Sequence, residues 1–297
     1  MRRRRGNLSR ARMHFGTIPL AGKDLPFRTS FPLLNLMNRS ASLPALVLTV
    51  TLASLPMPAN SAETAASATT KPTAAATPPK PTPKPRKPDD ACTPAPVNAG
   101  RQKAFLERAK DKGIHLVFLG DSITDFWQKR GKAVWEEFYA KHDAANFGVS
   151  GEHTEHTLGH IEGGILNGLH PKVVVIMIGT NNVGHIPDER AWWTADGIKK
   201  IVAAVHEKLP DAKVLLLGVF PREGKDSRHR KQIAEINATI SKLDDGKKTR
   251  YLDLTPKFTN ASGAIPKEIM PDGLHPSAKG YQIWAEAMQP LLDEMMK

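Results

Sequence analysis

Ile114-His115-Leu116-Val117-Phe118-Leu119 runs without a break into Gly120-Asp121-Ser122-Ile123-Thr124. An almost wholly apolar run that ends in Gly, Asp and Ser reads as a strand buried on both faces, followed by a turn that opens a helix. A serine at that turn sits among unpaired backbone N–H groups, at the end of a helix dipole that favours negative charge. Taken alone, Asp121-Ser122 is equally an ordinary helix N-cap.

Outward from this stretch, short β-rich runs alternate with helical patterns, as in βαβ units with a parallel sheet. Further strands fall at a short run ending in Asn146-Phe147 and at 173–178, 213–219 and 250–254. Residues 191–209 carry Ile198, Ile201, Val202 and Val205 on one side and lysines on the other, which gives an amphipathic helix; 232–243 and 278–295 behave likewise. The expected fold is a three-layer α/β/α sandwich on a five-stranded parallel sheet, flavodoxin-like in strand order. Such sheets bind ligands at the carboxyl ends of their strands, where the polar motifs of this chain fall.

Near the C-terminus, Asp272-Gly273-Leu274-His275 stands before the last amphipathic pattern. A neutral imidazole at His275 can take a serine proton as general base, and Asp272 can reach the other ring nitrogen and fix the tautomer. Between the two ends lie Asn146-Phe147-Gly148-Val149-Ser150-Gly151 and Gly179-Thr180-Asn181-Asn182. Gly151 can offer a backbone N–H with no side chain in the way, and Asn181 its amide, to a developing oxyanion. Each also has a plainer reading, as turn glycine or loop hydrogen bond; their convergence on one sheet edge favours chemistry.

These four blocks, in this order over about residues 100–297, resemble those of the SGNH, or GDSL, hydrolase superfamily. The resemblance implies that Ser122 is the nucleophile and that Asp272 and His275 complete the triad. It also implies that Gly151 and Asn181 form the oxyanion hole with the Ser122 N–H, that Gly120, Asp121, Asn146, Gly148, Gly179 and Thr180 support the blocks, and that no cofactor is needed. Asn146-Phe147-Gly148, Gly179-Thr180-Asn181-Asn182 and Phe220-Pro221-Arg222 most resemble the branch with the platelet-activating-factor acetylhydrolase catalytic subunits and secreted bacterial esterases. That branch implies short acyl groups, chiefly acetyl, carried on a small molecule or, in the deacetylase alternative, on xylan or peptidoglycan. The rival reading from another class is a flavodoxin-like module with a phosphate or flavin cradled at 120–124, against which Asp272-x-x-His275 argues.

The 297 residues divide into three regions by composition. Residues 1–62 read as an extension and a secretory signal: the uncharged stretch 43–55 is followed by Pro56, Pro58 and small residues suited to cleavage near Ser61 or Ala62, and Met37 would open a signal of ordinary length. That run is too short and too broken for a bilayer span, so the expectation is a secreted or periplasmic protein with no stable membrane span after cleavage. Residues 63–99, rich in Ala, Thr, Pro and Lys, read as a disordered, polyproline-like linker, and 100–297 as the catalytic domain. The net charge of +12 resides mostly upstream: fourteen Lys and Arg face four Asp and Glu in 1–100, against 28 and 26 in 101–297. A nearly neutral folded part speaks against nucleic-acid binding, while the basic linker suits weak electrostatic contact with the cell envelope. Cys92 is the only cysteine, so no intramolecular disulfide forms, and it lies too far beyond the apolar run for the usual lipid attachment.

Two further clusters invite a role. His153, His156 and His160, interleaved with Glu152 and Glu155, have helix-like spacing, but read as a polar helix face at the site rim rather than as a metal centre; no metal is assigned. Trp127, Trp135, Trp192 and Trp193 could line an acyl or sugar site, although aromatic residues in such helices more often belong to the core.

Overall fold

Five runs rich in Val, Leu and Ile pair in parallel in the computed structural model, which describes residues 85–297. They are β1 (Leu116–Gly120), β2 (Ala145–Gly148), β3 (Val173–Met177), β4 (Lys213–Leu217) and β5 (Thr249–Leu252), in the order β2-β1-β3-β4-β5. Every residue of β1 and β3 is buried, as central strands covered on both faces must be. The helices are α1 (Ala99–Arg108), α2 (Ser122–Asp125), α3 (Lys132–Phe138), α4 (Thr154–Glu162), α5 (Thr180–His185), α6 (Ala191–Lys208), α7 (Arg228–Ile240), α8 (Thr255–Phe258) and α9 (Ala278–Met295).

Alternation along the strands divides the core in two. Val117, Leu119, Val174, Ile176, Val214 and Leu216 face Phe105 of α1, Leu158 and Ile161 of α4, and the isoleucines of α6 and α7. Leu116, Phe118, Val175 and Leu215 face Trp135 of α3, Phe258 of α8, and Tyr281, Trp284 and Met288 of α9. The result is the expected three-layer sandwich in flavodoxin-like order.

Boundaries differ from the sequence reading where capping decides them. Strand β1 starts at Leu116 and takes in Gly120, which lies in register with Gly148 of β2 and Met177 of β3. Helix α7 starts at Arg228, four residues early, because the Ser227 side chain accepts the Arg230 N–H as N-cap. Trp127 and Trp135 are core residues: Trp127 packs 4.4 Å from Tyr281 and 4.8 Å from Trp284, ring centre to ring centre. Trp192 is exposed, with Trp193 against it.

The end of the expected linker is a correction. Residues 85–98 are packed onto the body, with a 3-10 turn at Pro88–Cys92 and Ala91 fully buried. The Thr154 hydroxyl donates to the Ala91 carbonyl at 2.9 Å, and the Ala95 N–H to the Glu155 carbonyl at 2.9 Å. Gly159 makes this approach possible, since any Cβ there would strike the Ala95 carbonyl. Proline and lysine content reads as linker locally, yet these backbone groups find partners on α4 that only the fold supplies. The signal segment 43–55, the start at Met37, cleavage near Ser61 or Ala62 and the linker 63–84 lie outside the described residues. Among the described residues no helix is long and apolar enough to cross a membrane.

Candidate active site

Because β1, β2 and β3 are adjacent and parallel, the turns that follow them open on one edge of the sheet. Ser122 begins α2 immediately after β1, and its N–H is among the helix's unpaired donors. Asp121 caps that helix: its Oδ1 accepts the Ile123 N–H at 2.9 Å. Fully buried, the Asp121 carboxyl is pushed up to about 7 by desolvation, against the pull of the Ile123 hydrogen bond and the Arg222 charge. Its Oδ2 has no hydrogen-bond partner among the described residues.

The loop before α9 brings an imidazole to the serine hydroxyl. Ser122 Oγ and His275 Nε2 are 2.9 Å apart, and His275 Nδ1 is 2.9 Å from Asp272 Oδ2. Asp272 Oδ1 accepts the backbone N–H groups of His275 at 2.7 Å and Leu274 at 3.0 Å, so both carboxylate oxygens are used. Burial raises the Asp272 pKa, but these bonds outweigh it and hold the carboxyl below its ordinary range. Phe126 stacks on the imidazole, 5.0 Å between centres and 26° from parallel. The ring is thus fixed on its Nδ1 side and on one face, leaving Nε2 aimed at the serine.

Gly151 and Asn181 sit on the adjoining turns. Gly151 is exposed with φ 83°, and Gly179 before α5 has φ 121°, conformations that side chains resist. Asn181 is buried, and its Nδ2 donates to the carbonyl of Glu152, the residue after Gly151, at 2.9 Å. An amide nitrogen has two hydrogens, so one remains for a ligand oxygen. Asn146 Nδ2 donates to the Thr124 carbonyl at 2.8 Å while its Oδ1 accepts the Gly148 N–H at 2.9 Å, which locks β2 to the serine turn. Thr180 anchors a residue to which sequence reading gave no role: Arg222 Nη1 donates to the Thr180 carbonyl at 2.8 Å. Glu223, next in the chain, donates its N–H to the Gly273 carbonyl at 2.8 Å, so this loop ties the asparagine turn to the histidine turn. Phe220-Pro221-Arg222 was the available signal for Arg222; for Phe126 the sequence holds none beyond its adjacency to the serine block.

The histidines separate. His160 is buried and bonded to Glu152 and Gln102, so it is not part of a polar helix face. A buried imidazole can be accommodated there because both ring nitrogens find partners. His153, Glu155 and His156 do bring one ligand atom each within 4.8 Å of one another. Two of the possible ligand atoms already have partners: His156 Nδ1 accepts the His153 N–H at 3.1 Å, and Glu155 Oε1 receives Arg86 at 2.7 Å.

A hydroxyl bonded to a fixed imidazole, beside unpaired N–H donors at the carboxyl edge of a parallel sheet, is an arrangement suited to acyl transfer. The pattern of the GDSL-like Lipase/Acylhydrolase family matches residues 118–283. The alpha1 subunit of platelet-activating factor acetylhydrolase IB from Homo sapiens is 34% identical over 189 residues, 63% of this chain and 79% of that protein. The alpha2 subunit from Rattus norvegicus is 32% identical over 194 residues, 65% of this chain and 81% of that one. Among solved structures, a GDSL-like lipase from Bacteroides thetaiotaomicron superposes with a TM-score of 0.56 at 21% identity, covering 66% of this chain and 98% of that one. An acetyl-xylooligosaccharide esterase from Geobacillus superposes at 0.50 and 19%, covering 62% and 94%. The fold is that of the SGNH hydrolases, a class of ester hydrolases. Within it, the chain belongs to the GDSL-like lipase/acylhydrolase family.

Proposed function

We propose that this ester hydrolase is a secreted enzyme that cleaves short-chain, chiefly acetyl, esters through an acyl-enzyme formed on Ser122. The acyl-enzyme mechanism in this reading is carried by one observation, the continuous line of 2.9 Å contacts from Ser122 Oγ through the His275 ring to Asp272. Ser122 Oγ attacks the ester carbonyl while His275 Nε2 takes its proton. The oxyanion rests on the N–H groups of Ser122 and Gly151 and on Asn181 Nδ2. As the intermediate collapses, His275 protonates the departing alcohol; water then attacks the acyl-enzyme and gives its proton to His275, which returns it to Ser122 Oγ as the acyl C–O bond breaks and the acid leaves. Asp272 holds the ring in the tautomer with Nδ1 protonated and stabilises the imidazolium.

Preference for acetyl is supported by the names of two of the similar proteins, an acetylhydrolase of platelet-activating factor and an acetyl-xylooligosaccharide esterase. Export is supported by the apolar stretch 43–55 and the small residues before Ala62. After cleavage the basic residues 63–84 would join the folded body to whatever the envelope presents.

The test is a series of p-nitrophenyl esters from acetyl to dodecanoyl, run beside acetylated xylan, acetylated peptidoglycan and a short-chain phospholipid. Acetyl and butyryl esters are turned over fastest, and a kcat/KM that climbs steadily to dodecanoyl overturns the assignment. N-terminal sequencing of the extracytoplasmic protein should begin near residue 62.

A further inference from the structure

Arg86 stands in the proline- and lysine-rich stretch Lys84-Pro85-Arg86-Lys87-Pro88, where sequence reading finds only linker. Its side chain is 13% exposed, and the guanidinium bridges two acidic side chains that are 7% and 0% exposed. Nη1 donates to Glu155 Oε1 at 2.7 Å, Nη2 to Glu155 Oε2 at 3.2 Å, and Nε to Glu189 Oε2 at 2.9 Å. The carboxylates come from different elements: Glu155 is in α4 and Glu189 precedes α6, where its other oxygen accepts the Thr194 hydroxyl at 2.8 Å.

From Glu155 the bonds run directly toward the site. Asn182 Nδ2 donates to Glu155 Oε2 at 3.2 Å and to Thr154 Oγ1 at 3.1 Å, while its Oδ1 accepts the Thr154 N–H at 3.0 Å. Asn181, its neighbour, donates to the Glu152 carbonyl. The segment 152–155 and the pair Asn181-Asn182 are therefore cross-linked as one polar unit, with Gly151 at its edge and Arg86 on its far side. A planar guanidinium can hold two carboxylates at fixed angles in a way that a single ammonium cannot. Removal of the cation leaves Glu189 with no ion pair among the described residues and Glu155 with only His153, whose Nδ1 is 3.4 Å from Oε1, so the two buried carboxylates must part or take up a proton.

We infer that Arg86 is a positioning residue of the esterase: it clamps Glu155 to Glu189 and thereby sets the Gly151 and Asn181 turns at the spacing an oxyanion requires. This rests on the oxyanion roles proposed above. It makes the last residues before α1 a working part of the enzyme rather than a tether, and it predicts an effect on the chemical step rather than on substrate affinity.

The test uses the full chain with Arg86→Ala, Arg86→Lys, the exposed neighbour Lys87→Ala, and Ser122→Ala, all on p-nitrophenyl acetate well below their melting temperatures. Folding is checked by circular dichroism and melting. Arg86→Ala lowers kcat by about tenfold at nearly constant KM, in the range that coupling through such a network supplies. Arg86→Lys, which keeps the charge but not the fork, falls between it and wild type, and Lys87→Ala equals wild type. A folded Arg86→Ala enzyme with wild-type kcat overturns the inference, as does a change confined to KM. Should Arg86→Ala fail to fold, the Lys variant decides: a wild-type kcat there overturns it, and a reduced kcat at constant KM supports it. Full activity in Ser122→Ala would instead overturn the esterase mechanism itself, independently of Arg86.

Discussion

The Tyr281 hydroxyl of α9 donates to the backbone carbonyl of Ile123 at 2.6 Å, joining the last helix to the first turn of α2 across 158 residues of sequence. The ring beneath that hydroxyl packs on Trp127 and Trp284 and is buried. Because the loop carrying Asp272 and His275 leads into α9, this bond helps set the height of His275 against Ser122.

Tyr281→Phe keeps the ring and removes the bond, leaving a buried carbonyl without this donor. The expected loss is about 1–2 kcal/mol of stability, read as a shift of the urea midpoint at unchanged slope. A smaller fall in kcat accompanies it, since Asp272 and Phe126 still orient the imidazole; a variant as stable as wild type would show the bond to be dispensable.

Ser122→Ala should abolish ester hydrolysis and all labelling by a fluorophosphonate. Ser150 also lies at the site edge, but its hydroxyl donates to Asp125 Oδ2 at 2.7 Å and has no bond to His275. Ser150→Ala should accordingly keep much of the activity, and mass spectrometry of the labelled protein should place the adduct on Ser122 alone.

Asn181→Ala removes one preorganised donor. A fall in kcat of roughly 10²–10³ with KM little changed is expected from a comparable donor elsewhere. An effect on KM alone would mean that Asn181 binds the ground state.

Asp121 carries a sign that can be worked out. Its carboxyl titrates near 7 when folded, above its ordinary value, because burial disfavours the charge. Between those two values the folded state holds more protons than the unfolded one, so stability from this group is highest at acid pH and declines as pH rises toward 7. Asp121→Asn, which keeps an acceptor for the Ile123 N–H, should flatten that decline. Urea unfolding at several pH values between 4 and 8 measures it, and parallel wild-type and variant curves would show the shift to be absent.

Much of this was legible beforehand because it is written locally. The runs 116–119 and 173–178 are apolar on both faces, as central parallel strands covered by helices on both sides are. Asp-x-x-His before a helical pattern is likewise local, since Asp272 reaches the His275 ring within one turn of chain. Trp127 and Trp135 were open to two readings, and their burial followed from which side of the sheet the 3-10 turn Phe126–Gln128 and α3 cover.

Sequence alone thus determined the layered parallel fold, the four blocks and the order in which they meet, because periodicity and short-range turn chemistry survive without neighbours. The tertiary structure decided what single residues far apart in sequence do to one another: Arg86 between Glu155 and Glu189, Arg222 on Thr180, Tyr281 beneath Ile123, His160 turned inward. None of these leaves a repeat or spacing in the chain. Each is a polar group whose desolvation is tolerable only once a partner arrives from another element, and where that partner stands is set by the packing of whole helices on the sheet.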